Sequence, residues 1–255
     1  MNQMQQIIIY VYVFIVGMCL SSFFMVVGYR IPRKETILGR SHCEECQNEL
    51  RWWHVLPLFS YLKLKGKCYF CTSKIGISNP ILEVFIGLLF VSSAFFEGLS
   101  PEILVSFTLI CLLFTISVSD WLYQIIPNKV LFPFLILGII ERVLIPQNDF
   151  WWYPIAGFFA GFLPLFLLGL LKEGGVGGGD IKLFAVVGVF IGPIGALISL
   201  FLSSVIAIII HIITIIATEK QQKQIAFGPS IAIGSFIIYL FTSGQIEAMI
   251  QLFRR

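Results

Sequence analysis

Asp120 and Asp180 each stand at the edge of an apolar run, and the second is presented by the glycine-rich stretch Gly174-Gly175-Val176-Gly177-Gly178-Gly179-Asp180. A carboxylate at membrane depth is costly and is kept there to handle protons, ions or a bond that must break. Two carboxyls that share one proton can do the last of these. One activates a water molecule, the other protonates the departing amine, and the apparent pKa values belong to the pair. We therefore read Asp120 and Asp180 as a catalytic pair. Gly177, Gly178 and Gly179 add no side chain and tolerate unusual dihedrals, so an extended substrate backbone can come close to them, and we take them as substrate-binding positions.

The plain alternative for Asp180 is a helix N-cap ahead of Ile181-Lys182-Leu183-Phe184. Asp120 has no such role open to it: it follows 17 uncharged residues at the C-terminal end of its helix, where the macrodipole disfavours an anion. Nucleotide binding is excluded, because the glycine run lacks the Gly-Lys-Ser/Thr of a phosphate loop and puts Asp180 where a dinucleotide fingerprint needs its third glycine.

A second chemistry lies in Cys43-x-x-Cys46 and Cys68-x-x-Cys71, two knuckles separated by 21 residues. This is a zinc-ribbon pattern, one residue beyond the commonest spacing. Four thiolates close a tetrahedral shell with no open position, so the zinc is expected to be structural. A mostly polar loop of about 50 residues buries little core, and a metal staple compensates. Redox dithiols or disulfides are the alternative, and a reducing cytosol disfavours stable disulfides. Cys19 and Cys111 lie in apolar runs and behave as small hydrophobes. His42 and His54 read as loop histidines.

The elements that hold these residues are those of a membrane protein. The chain is 58% hydrophobic and 12% charged, with a mean hydropathy of +0.92. Uncharged apolar windows at 7–27, 80–96, 103–119, 130–145, 150–171, 181–192, 194–217 and 231–250 predict an all-α polytopic fold of about eight transmembrane helices. The Gly192-Pro193 break divides the sixth window from the seventh. Nine of the 17 Lys and Arg lie between Arg30 and Lys74, and Lys129, Lys172, Lys182, Lys220 and Lys223 fall in alternate loops or at their edges, which leaves Arg142, Arg254 and Arg255 on the other side. The positive-inside rule puts the 30–79 loop in the cytosol and the N-terminus outside, with both aspartates on the cytosolic side. The first window lacks a basic n-region and reads as a retained helix rather than a signal peptide. The division expected is a first helix at 1–29, a cytosolic zinc-binding loop with its four cysteines at 30–79 and a membrane-embedded core at 80–255. The Gly157-x-x-x-Gly161 and Gly188-x-x-x-Gly192 spacings read as helix packing contacts. A net charge of +3, concentrated in these loops, carries no nucleic-acid signal.

With Gly177-Gly178-Gly179-Asp180 set beside Ser119-Asp120-Trp121-Leu122-Tyr123-Gln124-Ile125-Ile126-Pro127-Asn128, the chain resembles the type IV prepilin peptidases, bacterial membrane aspartic proteases of the GxGD type. The resemblance takes in Gly17 to Pro32, the cysteine loop with Pro57-Leu58-Phe59-Ser60-Tyr61-Leu62, and Phe227-Gly228-Pro229. It implies cleavage of a short basic leader from prepilins or pseudopilins at the cytosolic face of the bacterial cytoplasmic membrane, serving competence, adhesion, motility or secretion. Asp120 and Asp180 carry over as the catalytic aspartates. Glu83 matches a family acid that would help receive substrate or pair with a basic loop residue. S-adenosylmethionine is implied if the new amino terminus is also N-methylated. The chain departs from many relatives in having Asp120-Trp121-Leu122 in place of Asp-x-Asp, Asn128 in place of Asp, and His54 where acids or amides are common. Two rival readings are a transporter, given the broken helices and membrane acids, and a non-enzymatic assembly factor that docks through the zinc module. An inverted repeat is missing from the sequence, and a transporter has no need of the cysteine loop.

Overall fold

A computed structural model describes residues 3–43, 45–98, 100–171, 175–218 and 226–242. Among these the chain is helical: α1 (Gln3–Arg30), α2 (Phe59–Lys63), α3 (Ser78–Glu97), α4 (Glu102–Tyr123), α5 (Asn128–Leu144), α6 (Tyr153–Leu171), α7 (Gly178–Thr218) and α8 (Gly228–Thr242). Of these, α1, α3, α4, α6 and α7 are long and apolar enough to cross a membrane, and the protein is a multi-pass membrane protein. Every apolar window of the sequence has its helix. Those at 181–192 and 194–217 are the two segments of α7, which meet at a kink at Gly192. The short α2 lies on the cysteine loop. The window at 231–250 runs past the described residues, and Lys172, Lys220, Lys223, Arg254 and Arg255 among the topology charges lie outside them.

The kink has a local cause. Gly192 sits at φ 75°, ψ 176°, a left-handed φ that costs glycine nothing, and a Cβ there would strike the Tyr153 ring. Pro193 then offers no N–H to the turn before it. The first segment, residues 178–191, is about 21 Å long at 1.5 Å per residue, shorter than a bilayer's hydrocarbon core.

The chain forms two compact units, Met1–Phe95 and Phe96–Arg255. In the first, α1 and α3 run antiparallel: Gly17 meets Phe90 and the Gly87 backbone, Gly87 meets Phe14 and Met18, and Tyr10 lies 6.3 Å from Phe95 between ring centroids. Between them the cysteine loop carries a 3₁₀ turn at Trp52–His54, α2, and two isolated β-bridges, His42 to Glu49 and Lys67 to Lys74. Arg30 closes the end of α1 by donating from Nη1 to the carbonyls of Thr36 and Gly39, each at 3.3 Å.

In the second unit α4 is enclosed on all sides, and residues 183–187 and 189–191 of α7 are buried with it. A helix that is apolar all round belongs inside its bundle, and these two helices carry the aspartates. By contrast α6 buries only Gly157, Gly161 and Leu165, one stripe at a spacing of four, and exposes Phe159, Leu163, Leu167 and Leu170. The stripe lies on α7. Gly157 abuts the Gly188 backbone and Gly161 the Phe184 carbonyl, so the small-residue spacings are packing contacts as expected. Arg142, counted by sequence as a loop charge, is instead buried on α5 and paired with Glu102.

Candidate active site and cysteine cluster

Three helix N-termini converge on the C-terminal end of α4. Asp120, 6% exposed, sits one turn before that end. The chain then turns through Gln124 in a left-handed conformation (φ 53°), held by the Gln124 N–H to the Asp120 carbonyl at 2.9 Å and by the Ser119 hydroxyl donating to the Ile125 carbonyl at 2.6 Å. Asn128 opens α5 directly afterwards. A Cβ on Gly179 would stand 2.8 Å from the Ile126 Cβ, so the start of α7 rests on this turn. Lys182 Nζ, two residues past Asp180, donates to Asn128 Oδ1 at 3.1 Å and closes the same junction from outside. Asp180, half-buried in the first turn of α7, is within electrostatic reach of Asp120. The two carboxyls, 60 residues apart in the chain, are thus brought to one place by Gly179 and the α4–α5 turn.

The third N-terminus belongs to α8. The Gly228 N–H donates to Asp120 Oδ2 at 2.6 Å, and a Cβ on Gly228 would lie 2.8 Å from the Asp120 Cβ. Phe227, the residue before, lies 6.3 Å from Phe184 of α7 between centroids. By sequence alone Asp120 faces an unfavourable helix end. The structure answers that end of α4 with the N-terminus of α8, whose dipole and free N–H suit a carboxylate. Phe227-Gly228-Pro229 carried a signal, since a proline just inside a helix start marks an N-terminus, but nothing in it named Asp120 as the partner.

The glycine run divides by environment. A Cβ on Gly177 would crowd Asp180 Oδ2 and one on Gly179 would strike Ile126, whereas Gly178 faces open space out to 4 Å. Glu83 is buried near the start of α3, in the first unit, and its Oε2 accepts the Leu58 N–H at 2.9 Å. Loop backbone is therefore one partner and the Ser22 side chain of α1 another, and Leu58 is held at φ 56° where α2 begins.

Cys43, Cys46, Cys68 and Cys71 present four sulfurs all within 4.8 Å of one another, and none is in a disulfide. Cys43 and Cys71 are 3.8 Å apart, about the edge expected of a tetrahedron with metal–sulfur bonds near 2.3 Å. The two knuckles repeat each other: the residue after each second cysteine, Gln47 or Thr72, takes a left-handed φ and returns its N–H to the carbonyl of the first, Cys43 or Cys68. Protons are shared unequally among the thiols. The Cys46 N–H holds the Cys43 thiol down at about 6, against burial and aided by the Glu45 N–H. The Ser73 hydroxyl and N–H lower Cys71. Cys46 is pushed up to about 11: its Asn48 N–H lowers it, and burial and the other three thiols outweigh that. A cluster of this shape, with a Ser73 hydroxyl 3.0 Å from Cys71 Sγ, fits a metal ion.

A polytopic helical bundle with two acids at converging helix ends defines a class of membrane enzyme, and comparison with known proteins gives the family. Residues 15–96 match the Bacterial Peptidase A24 N-terminal domain and residues 107–212 the Type IV leader peptidase family. The chain is 34% identical over 241 residues to the prepilin leader peptidase/N-methyltransferase of Bacillus subtilis, covering 94% of this chain and 97% of that protein. It is 35% identical over 244 residues to the Vibrio cholerae protein of the same name (89% and 94%), and 29% identical over 258 residues to that of Neisseria gonorrhoeae (88% of each). No solved structure matches. The chain belongs to the type IV leader peptidase family and is a membrane peptidase.

Proposed function

We propose that this protein removes the basic leader from type IV prepilins or pseudopilins, with Asp120 and Asp180 as its catalytic pair. The observation that carries the reading is the start of α7, which bears Asp180, resting through Gly179 on the turn that follows Asp120, with Asp120 fixed by the Gly228 N–H. In this mechanism one carboxylate takes a proton from the attacking water, and the protonated partner hydrogen-bonds the scissile carbonyl. The tetrahedral intermediate then collapses as the amine accepts a proton and leaves. The open face of Gly178 supports an approach of the substrate backbone there, with Gly177 and Gly179 shaping the strand of chain that bears Asp180. For Glu83 the hydrogen bond to Leu58 favours a role in holding the loop over direct contact with substrate. The transporter and scaffold alternatives are not favoured, since neither calls for a paired-acid site in a chain of this family.

Zinc is the metal we assign to the cysteine cluster, held by Cys43, Cys46, Cys68 and Cys71. It would supply folding stability to the loop and no step of the reaction. For methyl transfer the fit is poorer. Among the described acids of the first unit only Glu83 is buried, and it is engaged by Leu58, while Glu35, Glu45 and Glu49 are exposed. These four acids do not by themselves outline a site for the ribose and amino acid groups of S-adenosylmethionine. We place the protein in the bacterial cytoplasmic membrane, with the cysteine loop cytosolic and the N-terminus outside, on the basic residues of that loop.

Incubating the purified protein with a prepilin and determining product mass tests the whole reading. Loss of the leader is expected. An intact prepilin, with a known family peptidase active on the same preparation, overturns it, and a methyl group on the mature product reports the second activity separately.

A further inference from the structure

At the end of the second unit remote from the aspartates lies another buried polar group. Arg142 on α5 is fully buried; it donates from Nε to the Phe190 carbonyl at 3.0 Å, from Nη2 to the same oxygen, and from Nη1 to Glu102 Oε2 at 2.9 Å. The Tyr239 hydroxyl donates to the other carboxylate oxygen, Glu102 Oε1, at 2.7 Å. The Phe190 ring fits where Gly138, one turn before Arg142, has no side chain. So one face of α5 grips Phe190 by both ring and carbonyl. The kink at Gly192 falls between Phe190 and Ile194, whose N–H would be the helical partner of that carbonyl, so the guanidinium grips the α7 segment at its kinked end.

Each helix in this group has its opposite end in the candidate active site. Glu102 opens α4, which ends just past Asp120; Arg142 is near the end of α5, which Asn128 opens; Phe190 is near the end of the α7 segment whose first turn holds Asp180; Tyr239 is on α8, which Gly228 opens. By helical rise the two ends are about 15 Å apart along α7 and about 27 Å along α4. Arg142 does not touch the reacting groups and acts through the helices.

We propose that Arg142, with Glu102 and Tyr239, is a positioning clamp that sets the register of α4, α5, α7 and α8, and with it the placement of Asp120, Asp180 and the Gly228 N–H. The proposal rests on reading the two aspartates as the reacting pair. A bundle sliding by one side-chain contact would separate groups that must meet within hydrogen-bond reach, and a misplacement of about 1 Å costs on the order of 100-fold in rate.

Full-length variants in detergent are compared for kcat and KM on a prepilin, per folded molecule, and for hydrogen exchange at the Gly228 amide. Tyr239→Phe, which removes the hydroxyl that faces Glu102 and keeps the ring, is expected to lower kcat about tenfold with KM little changed and to speed exchange at Gly228. Arg142→Met is expected to lower kcat on the order of 100-fold, with Arg142→Lys recovering part of the loss. Where Arg142→Met does not accumulate as folded protein, Tyr239→Phe and Glu102→Gln carry the test. Unchanged kcat and unchanged Gly228 exchange in folded Tyr239→Phe and Glu102→Gln overturn the clamp, even if their melting points fall. The exchange measurement does not depend on catalysis, so a failure of the aspartate reading, seen as full activity in Asp120→Asn, is distinguishable from a failure of this one.

Discussion

The proposed chemistry depends on how a few atoms around Asp120 are held. Gly228 serves it twice, by lending an N–H and by leaving room for the carboxyl itself. Gly228→Ala keeps the N–H but drives a Cβ against Asp120, so we expect leader cleavage to fall on the order of 100-fold while protein level and metal content hold. Quantitative cleavage assays with purified variant check this, and near-normal kcat would show that the contact is incidental. A second residue-scale expectation concerns His54, a buried neighbour of Trp53, Tyr69 and Phe70 whose Nδ1 accepts the Arg51 N–H at 3.2 Å. Burial, then the charges of Arg51 and Lys63, push its pKa below the ordinary value. The folded loop therefore refuses a proton that the unfolded chain accepts. Its contribution is complete above about pH 6.5 and is lost as pH falls below that. Proteolysis of the cysteine loop should accelerate as pH falls from about 6.5 to about 5.5, and His54→Phe, which keeps the ring contacts, should flatten that dependence.

At the scale of elements, α6 meets α7 at the backbones of Gly157, Gly161, Gly188 and Phe184, on the segment that Asp180 opens. Any side chain placed there pushes the helices apart. Gly188→Val should cost at least the ~1–3 kcal/mol typical of overpacking, lower the melting point and reduce cleavage. Gly169→Val, whose Cβ would meet only Ile181 Cδ1 at an ordinary 3.6 Å, serves as the control. Equal behaviour of the two variants would mean that this interface does not hold the Asp180 segment. Elements were also what the sequence conveyed best. Apolar windows located every long helix, because lipid demands an unbroken run of such residues, and the Gly192-Pro193 dipeptide marked the kink through chemistry local to two residues. The cysteine knuckles and the glycine run were legible for the same reason. The bond from Gly228 to Asp120 joins positions 108 apart and left no spacing to find. Arg142 was misread because hydropathy treats a cation between apolar runs as a loop charge, whereas its partners come from α4 and α7.

Over the whole molecule, metal and catalysis are expected to be separable. Cys43→Ser or Cys68→Ser should lower zinc content from about one per chain and expose the loop to protease. Since four thiolates leave no open position, zinc measured by atomic emission should not vary with mutation of the aspartates. A loop equally protected without metal would refute the structural role. The central claim is that Asp120 and Asp180 act as one catalytic unit, and single and double Asp→Asn variants assayed for leader cleavage test it most directly. Asparagine keeps the size and hydrogen bonding of each side chain and removes its ability to ionise. Asp120→Asn and Asp180→Asn are each expected to abolish cleavage with membrane insertion and zinc content normal, and the double variant to be no worse than either, as groups acting together behave. Lys129→Met, at an exposed cation near Asp120 in sequence, should retain activity. Substantial cleavage by Asp180→Asn would contradict the paired mechanism and leave that residue a helix cap.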